Sequence, residues 1–151
     1  MSRLNKKFHQ LTVEDKKAFI PFIMAGFPNI SYSKKLLNKL PELGADIIEI
    51  GMPFTDPMAD GKIIQDAGHA ALDAGFKMES LYQMIECFRK NDLDTPIILM
   101  GYFNLIYQCG ENNFLKNCKD SGVDGLIIVD LPPEEDTELC MPAKDLSLIH
   151  I

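Results

Sequence analysis

Short, continuous apolar runs alternate along this chain with segments whose apolar residues recur every three or four positions, and the two patterns predict strands and helices in turn. Leu4, Phe8 and Leu11 mark one face of a helix over Ser2 to Leu11. Ala18 to Met24, AFIPFIM, is bounded by charge before it and by Gly26 and Pro28 after it, as a buried strand is. Pro21 has no N–H to give a sheet ladder, so this strand needs a bulge or a ligand-facing kink there. Asn29 or Ser31 caps a helix reaching Leu43, with Ile30, Leu36, Leu37 and Leu40 as its stripe and Gly44 as its stop. Ile47 to Gly51 is the second strand, and Lys62 to Asp73 and Met78 to Lys90 are the next helices. Pro96 to Met100 is the third strand, followed by helical pieces at Phe103 to Tyr107 and Asn113 to Asp120 with Gly110 between them. Gly125 to Asp130 is the fourth strand, and Pro132, Pro133 and Glu134 open another helix.

Continuous apolar strands alternating with amphipathic helices give an α/β fold in which helices cover a parallel sheet. An open doubly wound sheet and a closed barrel both fit that pattern. No GxGxxG follows the first strand, which weakens the dinucleotide-binding version of the open sheet. Glu49, Tyr102 and Asp130 stand at or near the C-terminal ends of strands two, three and four, where barrel enzymes carry their chemistry. The expectation is therefore a TIM (β/α)8 barrel. Such a barrel takes about 250 residues. The 151 residues here supply the first four βα units and at most the start of strand five, as a single partial domain over 1–151.

Composition narrows the function. A net charge of -7 with no Lys/Arg cluster argues against nucleic acid as a partner. The basic N-terminus has no signal-peptide apolar run behind it and no stretch approaches a membrane span, so a cytoplasmic protein with no membrane contact is expected. The four cysteines form no CxxC and the three histidines no HExxH, which suggests neither a metal site nor a disulfide framework.

The most informative stretch is DIIEIGMPFTDPMADG, Asp46 to Gly61. It sets one carboxylate, Glu49, among Ile47, Ile48 and Ile50, then follows Gly51 with a loop stiffened by Pro53 and Pro57 that carries Asp56 and Asp60. A charged, unpaired carboxylate in a buried strand costs several kcal/mol, on the order of 2–7 even for a merely polar group, so Glu49 points to catalysis. Desolvation raises a carboxyl's pKa toward the range where a general acid/base works best. Asp60, on a loop, stays ionised and suits electrostatic stabilisation of positive charge. The competing readings are a strand-end salt bridge for Glu49 and a helix cap before Lys62 for Asp60.

The run IEIGMPFTDPMADG resembles the signature of the tryptophan synthase alpha chain family, with AFIPFIMAGFP, GYFNLIY and GVDGLIIVDLPPEE as supporting matches from Ala18 to about Glu138. The resemblance implies a carbon–carbon lyase of tryptophan biosynthesis that cleaves indole-3-glycerol phosphate to indole and glyceraldehyde 3-phosphate by a retro-aldol reaction. It implies Glu49 as the acid/base and Asp60 as the acceptor of the indole N–H. It also places Phe22, Met100, Tyr102 and Ile127 about the substrate. Pro53, Asp56, Asn104 and Tyr107 fall on the surface that meets the beta subunit in an alpha2beta2 complex. No cofactor is implied in this chain; pyridoxal phosphate is expected in the partner beta chain. Indole-glycerol-phosphate synthase is disfavoured, because its lysine-bearing strands have no counterpart here.

The family's phosphate loops follow strands six to eight, so the chain as given is expected to be inactive. The alternative is a half-barrel that only binds a beta-type partner. The last six residues, LSLIHI, match a translated sequencing adapter in one frame and also fit the opening of strand five, so 146–151 stands as a possible non-native tail.

Overall fold

The computed structural model describes residues 2–132 and 139–150. Helix α1 (Arg3–Val13) starts where the Ser2 hydroxyl accepts the Asn5 N–H at 3.2 Å and buries Leu4 and Leu11. β1 (Phe22–Met24) is followed by α2 (Ile30–Lys39), whose first turn is capped by the Asn29 side chain on the Tyr32 N–H at 2.9 Å. β2 (Ile48–Gly51), α3 (Lys62–Asp73), α4 (Met78–Arg89) and β3 (Ile97–Gly101) come next. They are followed by α5 (Phe103–Cys109), α6 (Glu111–Ser121), β4 (Gly125–Ile128), α7 (Cys140–Asp145) and β5 (Ile149–His150). The strands form one parallel sheet in the order β1-β2-β3-β4-β5, each beside its predecessor in sequence, as the first part of a barrel requires.

Several expected boundaries move, three of them for a clear local reason. The first strand begins at Phe22 rather than Ala18. The Pro21 carbonyl still accepts the Glu49 N–H at 3.0 Å, but proline has nothing to donate in return, so it ends the ladder instead of forming a bulge or a kink within it. Phe19 and Ile20 before it are exposed. The second helix stops at Lys39 and not at Leu43, because Pro41 cannot continue the α-helical bonds; a 3-10 turn over Pro41–Leu43 carries the chain to Gly44, at φ +94°. The fourth strand ends at Ile128, leaving Asp130 in the turn beyond it. The helix expected to open at Pro132, Pro133 and Glu134 lies outside the described residues from Pro133 onward. Ile149 and His150 stand beside Gly125 and Leu126 as the fifth strand.

Strand register separates the two faces of the sheet. Ile23, Ile48, Ile50, Ile97, Leu99, Leu126 and Ile128 face the helices and are buried with Leu37, Leu81, Ile85, Phe88 and Phe114. Burying an Ile or Leu side chain stabilises by about 1.5–3 kcal/mol, so this layer carries the fold. The opposite, inner face holds Ile47, Ile98 and Ile127 packed on Leu4, so α1 closes the N-terminal end of that face. No helix among the described residues is long and apolar enough to cross a membrane.

Candidate active site

Period-two alternation decides which side chains meet on the inner face. Phe22, Glu49, Ile98 and Gly125 stand at one level of the sheet, and Met24, Gly51, Met100 and Ile127 at the next level toward the C-terminal ends. Phe22, Glu49, Met100 and Ile127, four of the residues singled out in the sequence, thus share one face. All four are only half-buried, while their neighbours on the helix side are buried. Gly51 is required by the close approach of Phe22. A Cβ at that position would lie 2.5 Å from the tip of the Phe22 ring.

Glu49 sits in this layer with its carboxylate unpaired: among the described residues it has no hydrogen-bond or ion-pair partner. That removes the salt-bridge reading. Burial pushes its pKa above the ordinary glutamate value, and no positive charge pulls it back. A carboxyl held so gives up its proton less readily than an exposed glutamate and is open to exchange it with a bound molecule.

The loop after β2 begins with Met52, whose N–H donates to the Met100 carbonyl at 2.8 Å, so it leaves the sheet beside β3. Phe54 stacks on Tyr102, with ring centroids 5.3 Å apart. The Tyr102 hydroxyl accepts the Ala59 N–H at 2.9 Å. Burial raises the Tyr102 pKa, the Ala59 bond opposes the rise, and the nearby carboxylates of Asp60 and Asp130 add to it. Asp60 is therefore held near the inner face beside Tyr102. It does not cap α3: the N-cap is Gly61, with no side-chain cap bond.

The remaining residues lie apart from this cluster. Asp56 is exposed and accepts from the Thr55 hydroxyl at 2.6 Å. Asn104 and Tyr107 are exposed on α5, with Asn104 accepting from the Gln108 amide at 2.8 Å. Pro53, expected with them on an exposed surface, is buried, because the chain turns inward there before Phe54 stacks on Tyr102. Pro53 shapes the loop and offers no free face. Asp130, expected among the chemical residues, is exposed and accepts the Phe103 N–H at 2.8 Å, so it caps α5 from the neighbouring strand. The described residues contain no group of three or more His, Cys, Asp and Glu able to hold a metal ion.

Sequence reasoning missed Gln65. Its side-chain amide on the first turns of α3 donates to the carbonyls of Asp60 at 2.8 Å and Pro57 at 3.3 Å. The signal was its position four residues after Gly61, within reach of the loop that leads into the helix.

A family model described as the tryptophan synthase alpha chain matches residues 8–151. Among solved structures, tryptophan synthase subunit alpha from Legionella pneumophila is 39% identical, with a TM-score of 0.96 over 99% of this chain and 57% of that one. The tryptophan synthase complex from Pyrococcus furiosus contains a chain 41% identical, with a TM-score of 0.83 over 88% of this chain and 55% of that one. Tryptophan synthase from M. tuberculosis matches at 29% identity and a TM-score of 0.93, over 99% of this chain and 59% of that one. The present chain thus spans less than two thirds of the length of each.

Proposed function

The chain belongs to the tryptophan synthase alpha chain family, and from that premise we propose that a barrel carrying this sequence cleaves indole-3-glycerol phosphate to indole and glyceraldehyde 3-phosphate in tryptophan biosynthesis. The observation that carries the reading is the unpaired, half-buried carboxylate of Glu49 on the inner face, beside Phe22, with Met100 and Ile127 one level above. Glu49 takes the proton of the glycerol hydroxyl as the carbon–carbon bond breaks and helps return a proton to the indole ring carbon. Asp60 accepts the indole N–H and stabilises the positive charge that develops on the ring. Phe22, Met100, Tyr102 and Ile127 supply the apolar walls for a flat aromatic substrate. Two carboxylates in two environments take two roles.

Asp56, Asn104 and Tyr107 form the exposed surface for a pyridoxal-phosphate-bearing beta chain, in keeping with the complex known for the Pyrococcus furiosus relative. The 151-residue chain alone is proposed to release no indole, because a phosphate monoester needs a helix N-terminus or a nest of backbone N–H groups to anchor it, and in this family those loops follow strands six to eight.

The test joins this chain, through Asp145, to the remaining length of the Legionella relative and measures indole release. Glu49→Gln is expected to lower turnover by about 10²–10⁴-fold, the usual contribution of a general acid/base, with substrate binding retained. Asp60→Asn should lower it as well. Near-normal turnover in Glu49→Gln would remove the acid/base role, and release of glyceraldehyde 3-phosphate by the 151-residue chain would overturn the reading of that chain as inactive.

A further inference from the structure

We propose that Gln65 is a positioning residue for Asp60, working against the Tyr102 hydroxyl as the second jaw of one clamp. The inference rests on the charge-stabilising role given to Asp60 above. The peptide groups around Asp60 are pinned in turn. The Ala59 N–H donates to the Tyr102 hydroxyl at 2.9 Å, the Asp60 N–H to the Pro57 carbonyl at 3.1 Å, and the Asp60 carbonyl accepts from the Gln65 amide at 2.8 Å. Gln65 also reaches the Pro57 carbonyl at 3.3 Å, so it holds the acceptor that the Asp60 N–H uses. With the peptides on both sides of its Cα fixed, Asp60 keeps one backbone frame from which its carboxylate projects.

The jaws come from rigid elements on opposite sides of the loop. Tyr102 directly follows β3 and is buried in its stack with Phe54. Gln65 lies within α3, its own N–H bonded to the Gly61 carbonyl at 3.1 Å. The Gln65 contact does nothing for its own helix. The first turn of a helix leaves N–H donors unsatisfied, whereas Gln65 presents donors to loop carbonyls. His69, one turn further on, repeats the pattern: its ring nitrogen lies 3.1 Å from the Thr55 carbonyl. α3 therefore grips the loop along its length, with Gln65 at the residue that bears the carboxylate.

Two variants test the clamp with little risk to the fold. Gln65→Met keeps the length and helix propensity of the side chain and loses only its donors. Tyr102→Phe keeps the ring stack and loses the hydroxyl, both as acceptor of the Ala59 N–H and as hydrogen-bond partner of the Asp60 carboxylate. In this chain, amide hydrogen exchange at Ala59 and Asp60 is expected to quicken about tenfold or more in each variant, with β2 and β3 unchanged. Unchanged exchange in the loop, or a uniform rise at all amides, would overturn the clamp. In the completed barrel, Gln65→Met should lower kcat by about 10–100-fold with KM nearly constant, as misplacement of a catalytic group by about an ångström does. Added to Asp60→Asn, it should cost nothing further; a fully additive loss would show that Gln65 acts elsewhere and overturn the proposal. A completed barrel that cleaves nothing would defeat the proposed activity, and the exchange result would still decide whether Gln65 and Tyr102 hold Asp60.

Discussion

Two carboxylates on adjoining levels of the same sheet are treated in opposite ways. At the N-terminal end, Asp124 is buried and saturated. It accepts from Arg89 at 2.7 Å, from Arg3 at 2.9 Å and from the Ile97 N–H at 2.9 Å. Arg89, itself buried, directs its other donors to the carbonyls of Gly122 at 3.0 Å and Thr95 at 2.7 Å. Burial lowers the Arg89 pKa while Asp124 pulls it back up, and the guanidinium stays charged at neutral pH. One level along, on the inner face of β2, Glu49 is half-buried and has no partner among the described residues. The difference separates architecture from chemistry. A paired buried charge ties α1, α4, β3 and β4 together, while an unpaired one leaves its proton exchangeable and its oxygens open to a substrate.

The saturated carboxylate should respond most strongly to mutation. Asp124→Ala leaves one guanidinium donor of Arg89, one of Arg3 and the Ile97 N–H without their acceptor and the buried Arg89 charge without its counter-ion, and breaking a buried pair from one side costs about 3–5 kcal/mol. That is a large share of the stability of a small domain, about 5–15 kcal/mol, so urea titration should show a midpoint shifted far down or no cooperative transition at all. A loss below about 1 kcal/mol, the range of an exposed ion pair, would mean that Asp124 is no more structural than a surface charge and would dissolve the comparison.

The two carboxylates also differ in how far the sequence exposes them. Glu49 is conspicuous because a polar residue interrupts an apolar strand, and alternation alone then puts Phe22, Met100 and Ile127 on its face once the strands lie parallel and in register. Helices α3 and α4 follow directly from spacing that is local. Asp124 gives no such sign, since its meaning depends on Arg89, 35 residues earlier, and Arg3, 121 residues earlier. The Ala59 contact with Tyr102 spans 43 residues and is equally hidden. The burial of Pro53 is hidden for a related reason: a proline in a loop signals a turn, and only the Phe54–Tyr102 stack reveals that this turn goes inward. At Pro21 and Pro41 the missing N–H that ends β1 and α2 is local and visible, yet the apolar pattern crosses both prolines and carried the expected strand back to Ala18 and the expected helix on to Leu43.

Asp130 sharpens the comparison, since it lies just past the C-terminal end of β4 near Tyr102 yet behaves structurally. Its carboxylate receives the Phe103 N–H at 2.8 Å and so supplies the cap that α5 lacks from its own N-cap residue, Tyr102. Asp130→Ala is expected to cost about 1 kcal/mol, within the range of about 0.5–2 for a lost cap, and Asp130→Asn much less because its amide oxygen still accepts. Indole release per folded completed barrel should change little in either variant. If Asp130→Ala instead suppressed turnover as deeply as Glu49→Gln, unpaired and paired carboxylates of this sheet would no longer separate by role.

The smallest effect is the most diagnostic, because its sign is opposite to the others. The Glu49 pKa is raised by burial above its ordinary value of 4.5, so the folded state binds this proton more tightly than the unfolded chain does. By linkage the charged carboxylate opposes folding at neutral pH, and that cost fades as the pH falls through the folded pKa and is gone below 4.5. A side-chain amide has the shape of the protonated carboxyl and never carries the charge. Glu49→Gln should therefore raise Tm by at most a few degrees at about pH 7, with the gain shrinking toward zero by about pH 4. Asp124→Ala should lower Tm at both pH values. One substitution that stabilises the chain and stops the cleavage proposed for the completed barrel, against another that removes the fold, is the outcome required if the unpaired carboxylate is retained for reaction at the expense of stability. A loss of stability in Glu49→Gln at about pH 7 would instead mean that the carboxylate has a favourable partner in solution, and the exchangeable proton assigned to it would have to be sought elsewhere on the inner face.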